Sequence, residues 1–355
     1  MNYTAYLIMI KKIIPFSQRY FMRLLKPLIN IDDQIKKISK KPTSIGFQVT
    51  NTCNANCIFC GYQYLKTPKS ILPMDLFRKA IDEFDAFGGG GIGLTPFVGE
   101  ALLDPNFIER IKYARNKKNV SRMGFFTNGI LINRVGARSI IRSGIDEITI
   151  SIGGFDAESY SRIFRVNSWS LVIEGILNLL EENALYDNRV NICIGLRSDV
   201  SIWKLLGTPA YKMLKRFRFN LQYNIHYDSW SGRIKREELR GAMRLRKQPK
   251  KNEPCSLLYT GPIILSNGDM ALCGCRDLNG DTELVLGNIK DKTILEMWQD
   301  PAVEIIREGF YSSRYPKVCR DCSFYNDLSC FRKEKARILL KGENSSLLCR
   351  RKLFF

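Results

Sequence analysis

From residue 45 to residue 227, short apolar or alternating runs take turns with longer helical stretches, an order that few folds accept. The runs at 45–50, 92–98, 123–127, 147–152, 190–197 and 219–227 read as strands. Helical patterns lie between them near 74–87, 105–118, 134–143, 157–182 and 201–216. Strand–helix alternation of this kind builds parallel βαβ units. Six units make an α/β fold, either an open partial barrel or a doubly wound sheet, and the pattern alone does not separate the two. The run from Gly88 to Gly93 satisfies G-x-G-x-x-G, but it follows a helix and precedes a strand. That is the reverse of the dinucleotide-binding fingerprint, so it reads as a helix stop and loop.

Eleven cysteines accompany this pattern. The apolar run at 6–10 is broken at once by Lys11 and Lys12, and no signal-peptide cleavage pattern follows. Nothing approaches the roughly 18 uninterrupted apolar residues of a membrane span. The expected location is the cytoplasm, where clustered cysteines bind metal or do redox work rather than form disulfides.

The first strand runs directly into Asn51-Thr-Cys-Asn-Ala-Asn-Cys-Ile-Phe-Cys, which spaces Cys53, Cys57 and Cys60 as C-x3-C-x2-C. Three thiolates on one loop can hold one face of an iron–sulfur cubane. Such clusters normally take four cysteines, so three leave one iron open for a ligand. A structural zinc loop is the competing reading, although zinc sites favour paired knuckles. With an aromatic residue before the last cysteine, the motif resembles the signature of the radical SAM superfamily.

That resemblance implies a partial (β/α)6 TIM-like barrel with its site at the C-terminal strand ends, a [4Fe–4S] cluster with an open iron, and S-adenosylmethionine bound to that iron. It places Phe59 near the adenine. It sets Gly99 and Glu100, after Val98, at a GGE-like motif that contacts the methionine amino group. Thr127-Asn128-Gly129 ends the third strand as in many members. Ser151 matches a ribose-contacting position, and Arg165 matches an arginine that meets the methionine carboxylate. Arg197 is a second candidate for that role or for substrate. The resemblance also implies a flavodoxin- or ferredoxin-like electron donor.

A second cysteine set follows, with Cys255 and Cys273 separated by 17 residues and then Cys319-x2-Cys322. The stretch 263–273 reads as a hairpin with an Asn-Gly turn that presents Cys273 from its second strand. The set resembles the SPASM/twitch extension of radical SAM enzymes. Cys330 falls too far after Cys322 for the two-cluster pattern. One auxiliary [4Fe–4S] cluster on Cys255, Cys273, Cys319 and Cys322 is therefore expected. Cys275, Cys330 and Cys349 are spare thiols, and zinc on the same four cysteines is the alternative.

The organisation expected is a basic amphipathic extension at 1–44, a barrel at 45–229, a basic linker at 230–254, a Cys-rich auxiliary-cluster domain at 255–330 and a basic tail at 331–355. Residues 20–28 suit a short amphipathic helix, packed on the core or touching a membrane surface. The segment 230–251 holds nine Lys/Arg against two Glu and reads as a solvated helix or linker.

An auxiliary cluster suits oxidation of a substrate radical, while a cysteine hydrogen donor would suit epimerisation. Cys193, in the fifth strand with the parity of Arg197, could face the barrel interior, although a buried apolar cysteine is the plainer reading. In the sixth strand Gln222, Asn224, His226 and Asp228 share one face, which suits a polyhydroxy substrate. Asp228, Glu100 and Tyr62 are the candidate bases. About 44 residues precede the barrel, fewer than the leader-binding domain of peptide-modifying relatives. The expected substrate is therefore small and polar (a sugar, aminocyclitol or glycan intermediate), phosphorylated or lipid-linked, with the basic runs meeting phosphates. A peptide or protein maturase is the alternative. An RNA-modifying enzyme would use the net charge of +20, but no RNA-binding module is recognisable. A non-enzymatic iron–sulfur or zinc scaffold is the remaining class.

Overall fold

A computed structural model of the chain describes residues 30–95, 97–273, 276–280 and 282–332. The helix expected at 20–28, Cys275, Cys349 and the tail beyond residue 332 lie outside the described residues.

Six strands pair in parallel: β1 (Ser44–Phe47), β2 (Gly90–Gly93), β3 (Val120–Thr127), β4 (Glu147–Ile152), β5 (Asn191–Arg197) and β6 (Asn220–Asn224). Their spatial order is their sequence order. A doubly wound sheet reverses direction at a switch point, so this order selects the barrel. The barrel stays open. On the far side of β1 lies β9 (Ile263–Ile264), parallel to it, followed by antiparallel β10 (Asp269–Ala271) and β11 (Val285–Asn288). The hairpin read at 263–273 is present, with Gly268 at φ 90° in its turn, and it extends the barrel sheet to nine strands.

Several elements are shorter than their patterns suggested. β1 stops at Phe47 and β2 at Gly93, and the chain beyond each bends into the site loops. The helix expected at 157–182 is two, α6 (Ala157–Phe164) and α7 (Trp169–Leu185), because Arg165 takes a left-handed conformation (φ 56°) and ends the first. The axes of the two helices differ by 106°. Gly136 divides 134–143 into α4 (Ile132–Val135) and α5 (Ala137–Ile141). Pro209, capped by Thr208, starts α9 (Pro209–Leu214) after α8 (Ile202–Leu206). The sixth strand breaks at Ile225 and resumes as β7 (His226–Tyr227).

The core lies between the sheet and its helices. Phe77, Ile81 and Phe84 of α2 (Met74–Ala86) and Phe107 and Ile111 of α3 (Phe107–Arg115) are buried against Phe47, Met123 and Phe125. Ahead of the barrel, α1 (Asp32–Lys40) buries Ile38. Its carbonyl accepts from Trp298 Nε1 of α11 (Ile294–Trp298), tying that helix to the C-terminal module. The remaining short helices are α10 (Leu257–Thr260), α12 (Pro301–Gly309) and α13 (Lys317–Arg320).

The basic segment 230–254 is neither a solvated helix nor a free linker. Ile234, Leu239 and Met243 are buried, and β8 (Arg244–Leu245) pairs with β7. Tyr64 Oη donates to Glu238 at 2.6 Å. Three apolar side chains spaced among the charges are enough to fold this strap over the first cysteine loop. Among the described residues, no single helix is long and apolar enough to cross a membrane.

Candidate active site and auxiliary cysteine site

The loop after β1 is held from both sides. Asn51 accepts from Ser70 N and donates to Pro68 O, both at 2.7 Å. Asn56 N and Ile58 N donate to the carbonyls of Phe164 and Ile163 at the end of α6. Between these anchors, Cys53, Cys57 and Cys60 line one cavity with about 1110 Å³ of empty space at the C-terminal ends of the strands. This is the catalytic end of barrels built on this plan.

Phe59, Gly99, Glu100, Ser151 and Arg197 line the same cavity. Gly99 has φ 119°, and a Cβ there would overlap the Thr50 carbonyl oxygen. Only glycine lets this turn pass so close to the cysteine loop. The next residue, Glu100, is buried and fully engaged. One oxygen accepts from Thr127 Oγ1 (2.8 Å) and Leu102 N (3.2 Å), the other from Asn128 N (2.8 Å). Burial outweighs these bonds and pushes its carboxyl up to about 7. Asn128 in turn donates to Asn54 Oδ1 at 2.7 Å, so the ends of β1, β2 and β3 are joined through polar side chains.

Arg197 reaches the cavity from the end of β5. Its Nε is buried without a hydrogen-bond partner, and its guanidinium carbon lies 5.9 Å from the Phe59 ring centre. Burial lowers its affinity for its proton. Such an atom has a use for a negative ligand group.

Two expected site residues point elsewhere. Arg165 is exposed and donates to Gln63 Oε1 at 3.0 Å, outside the cavity lining. Its left-handed backbone, which ends α6, turns the chain away. Tyr62 donates to the Cys53 carbonyl at 3.2 Å and does not line the cavity. Asp228 does line it, but both oxygens are occupied. Oδ2 accepts from Trp230 N (3.0 Å) and pairs with Arg276 (2.5 Å), and Oδ1 accepts from Ser323 Oγ (3.1 Å). It joins the barrel to the Cys-rich module. Because β6 breaks at Ile225, His226, Tyr227 and Asp228 all line the cavity in succession, while Gln222 is exposed. Cys193 is buried in β5, four residues below Arg197 and outside the lining.

The structure also adds residues that motif reading passed over: Trp230, Arg246, Arg276 and Phe324. Trp230 Nε1 donates to Phe59 O at 3.1 Å, and a Cβ on Gly61 would lie 2.5 Å from its ring. The missing side chain beside Cys60 makes room for this indole. The guanidinium carbon of Arg276 sits 4.2 Å from the Trp230 ring centre and 4.4 Å from that of Phe324. A lone tryptophan in a charge run was the available signal.

Behind this wall is a second cavity with about 400 Å³ of empty space, lined by Cys255, Cys273, Cys319 and Cys322 and by apolar side chains such as Leu258, Leu284 and Phe310. Cys255 precedes α10, Cys273 follows β10, and Cys319 and Cys322 sit on and just after α13. Cys330 is not part of this lining.

The chemistry of both thiol sets fits a cationic inorganic core. Burial pushes Cys53 up to about 12 and raises Cys57 and Cys60, with mutual repulsion adding to the first two. Burial likewise raises Cys255 and Cys319 and pushes Cys322 up to about 11. Buried thiolates need positive charge at their centre, which bound metal supplies as it displaces the protons. The thiols line cavity walls instead of meeting at a point. Among the described residues, no three His, Cys, Asp or Glu side chains gather as ligands of a single ion.

Comparison with known proteins agrees with this geometry. The model of the radical SAM superfamily matches residues 47–200, and that of the SPASM iron–sulfur cluster-binding domain matches 234–323. The chain belongs to the radical SAM superfamily. It is a radical SAM enzyme with a SPASM domain, and its cofactors are a [4Fe–4S] cluster, S-adenosylmethionine and an auxiliary iron–sulfur cluster.

Among curated relatives, a probable GTP 3',8-cyclase of Thermoplasma volcanium is 25% identical over 76% of this chain and 90% of its own length. A GTP 3',8-cyclase of Lactiplantibacillus plantarum is 26% identical over 37% of this chain, and the match spans 40% of that protein. Several other such matches also span under half of the relative. The solved structure of BtrN in complex with AdoMet and 2-DOIA has a TM-score of 0.54 at 14% identity, covering 81% of this chain and 94% of BtrN. SuiB of Streptococcus suis bound to S-adenosylmethionine has a TM-score of 0.52 at 14% identity, covering 84% and 80%. These two share the fold.

Proposed function

We propose that this radical SAM enzyme abstracts a hydrogen atom from a small, polar, negatively charged substrate held between its two cysteine sites. Cys53, Cys57 and Cys60 would hold the cluster, which would supply the electron for reductive cleavage of S-adenosylmethionine. Glu100 would orient the methionine amino group, Arg197 would take the methionine carboxylate, and Phe59 and Ser151 would flank the adenine and the ribose. Trp230 and the strap 230–254 cover the loop and keep water from the reacting atoms.

The observation that carries the substrate class is the single cavity whose lining holds the three thiols together with Arg246, Arg276 and Phe324. Arg276 and Phe324 line the auxiliary cavity as well, so a small molecule in the first site lies one side chain from the second. That proximity suits electron transfer from a substrate radical to the auxiliary cluster, which makes oxidation the favoured outcome. The relatives named for GTP support a phosphorylated substrate within this class.

The test is anaerobic reconstitution with iron and sulfide, reduction with dithionite, addition of S-adenosylmethionine and assay of 5′-deoxyadenosine against Cys57→Ala. About eight iron atoms per chain are expected, four for each cubane, with deoxyadenosine that depends on Cys57. A fully loaded, reduced protein that makes none, alone or with phosphorylated sugars and nucleotides present, refutes the reading. Turnover of a peptide with no turnover of these small molecules would transfer it to the maturases.

A further inference from the structure

The carboxylates of the cavity lining are Glu100, whose burial favours its neutral form, and Asp228. The same lining carries three guanidiniums, Arg246, Arg276 and Arg197, and the last two act on Cys60 as positive charges. Arg276 and Arg197 both act on Arg246 as like charges. Asp228 is the carboxylate among them, and it is in contact with Arg276. Arg246 follows β8, whose pairing with β7 brings it to the cavity mouth. Its backbone N–H donates to Tyr227 O at 2.7 Å. Its guanidinium packs 5.2 Å from the Phe324 ring centre and makes no hydrogen bond or ion pair among the described residues. Arg276 stacks on the same ring. The electrostatic influence of Arg276 reaches both Cys60 and Cys322, which sets it between the two thiol sites.

Asp228 acts against the like charges of Arg276 and Arg197 on Arg246, but its contact is with Arg276, so the Arg246 guanidinium keeps no anion in contact among the described residues. A planar guanidinium held by stacking keeps its fork of N–H donors for a bidentate oxyanion. We infer that Arg246, with Arg276 beside it, is the subsite for the oxyanion of the substrate, a phosphate ester or a carboxylate, and so determines specificity. Anchored there, the remainder of a small substrate extends toward Cys53, Cys57 and Cys60. This deepens the proposed function and rests on it.

The experiment uses the reconstituted, unreduced protein saturated with S-adenosylmethionine, so that methionine's own carboxylate is already bound. Inorganic phosphate and malonate are titrated separately by anaerobic calorimetry into wild type, Arg246→Gln, Arg246→Lys and Arg216→Gln, the last an exposed arginine outside the cavity lining. Saturable binding of one anion is expected, weakened about ten-fold or more in Arg246→Gln. Arg246→Lys should be intermediate, since it keeps the charge and loses the fork, and Arg216→Gln should match wild type. Preference for phosphate or for malonate identifies the group. Equal affinities in Arg246→Gln and Arg216→Gln, at matched iron content, overturn the inference, as does absence of saturable binding in wild type. Binding of S-adenosylmethionine in the same samples shows separately whether the parent reading holds.

Discussion

A carboxylate at the base of the cavity is the residue whose chemistry depends most on its surroundings. Glu100 is raised from its ordinary value of 4.5 to about 7 by burial. The folded protein therefore holds a proton that the unfolded chain releases between these values. The stabilisation is complete below about pH 4.5 and is lost as pH rises through about 7, amounting to roughly 3 kcal/mol. Thermal midpoints of the protein before cofactor loading should fall from pH 5 to pH 8, and Glu100→Gln should flatten that fall. The same substitution removes the charge that would meet an ammonium group and should weaken S-adenosylmethionine binding about ten-fold or more, at roughly 1.5–3 kcal/mol for a charged hydrogen bond. One position earlier, Gly99→Ala adds a Cβ at φ 119° against the Thr50 carbonyl. It should destabilise by about 2–3 kcal/mol, read as a lower apparent melting temperature. That Cys53, Cys57, Cys60, Gly99 and Glu100 come together in one cavity was legible in the sequence because short, ordered motifs hold them. Arg165 lies outside the cavity lining because its own left-handed backbone ends α6, which no spacing reveals.

Among the elements, the turn that carries Glu100 depends on a pair outside the site. Arg110 of α3 and Asp104 form a fully buried ion pair at 2.6 Å, and Arg110 also donates to the Leu72 carbonyl. This closes the stretch after Gly99-Glu100 onto α3 and the chain entering α2. Removing one partner of a buried pair leaves an uncompensated charge. Asp104→Asn should cost about 3–5 kcal/mol and should reduce iron retention at the first site, measured as iron per chain after desalting. Strand and helix existence followed from periodicity, while their ends did not. β1 and β2 stop early because the chain turns to supply ligands and Gly99, and the sixth strand breaks at Ile225, which brings three consecutive residues to the cavity. The strap 230–254 read as solvent-facing because its charges outnumber Ile234, Leu239 and Met243, yet those three side chains are buried and dock it.

For the whole molecule, the decisive feature is that two cysteine sites far apart in sequence share one wall. Cys319→Ala should lower iron from about eight to about four atoms per chain while the first site still fills. Iron analysis, together with the electron paramagnetic resonance signal of the reduced protein, checks this. Loss of all iron in that variant would mean that the two modules do not load independently. The fold class and both cysteine sets could be read from the chain itself, since strand–helix alternation and close cysteine spacing are local patterns that a chain carries wherever it folds. The tertiary structure alone decided that β9 joins β1 and so brings the Cys-rich module onto the barrel sheet. It also paired Asp228 with Arg276 and Ser323, and it brought Trp230, Arg246, Arg276 and Phe324 into one cavity. These outcomes depend on contacts between residues that are often about a hundred and, for β1 with β9, about two hundred positions apart, where burial and charge pairing set the partners and no local pattern encodes them.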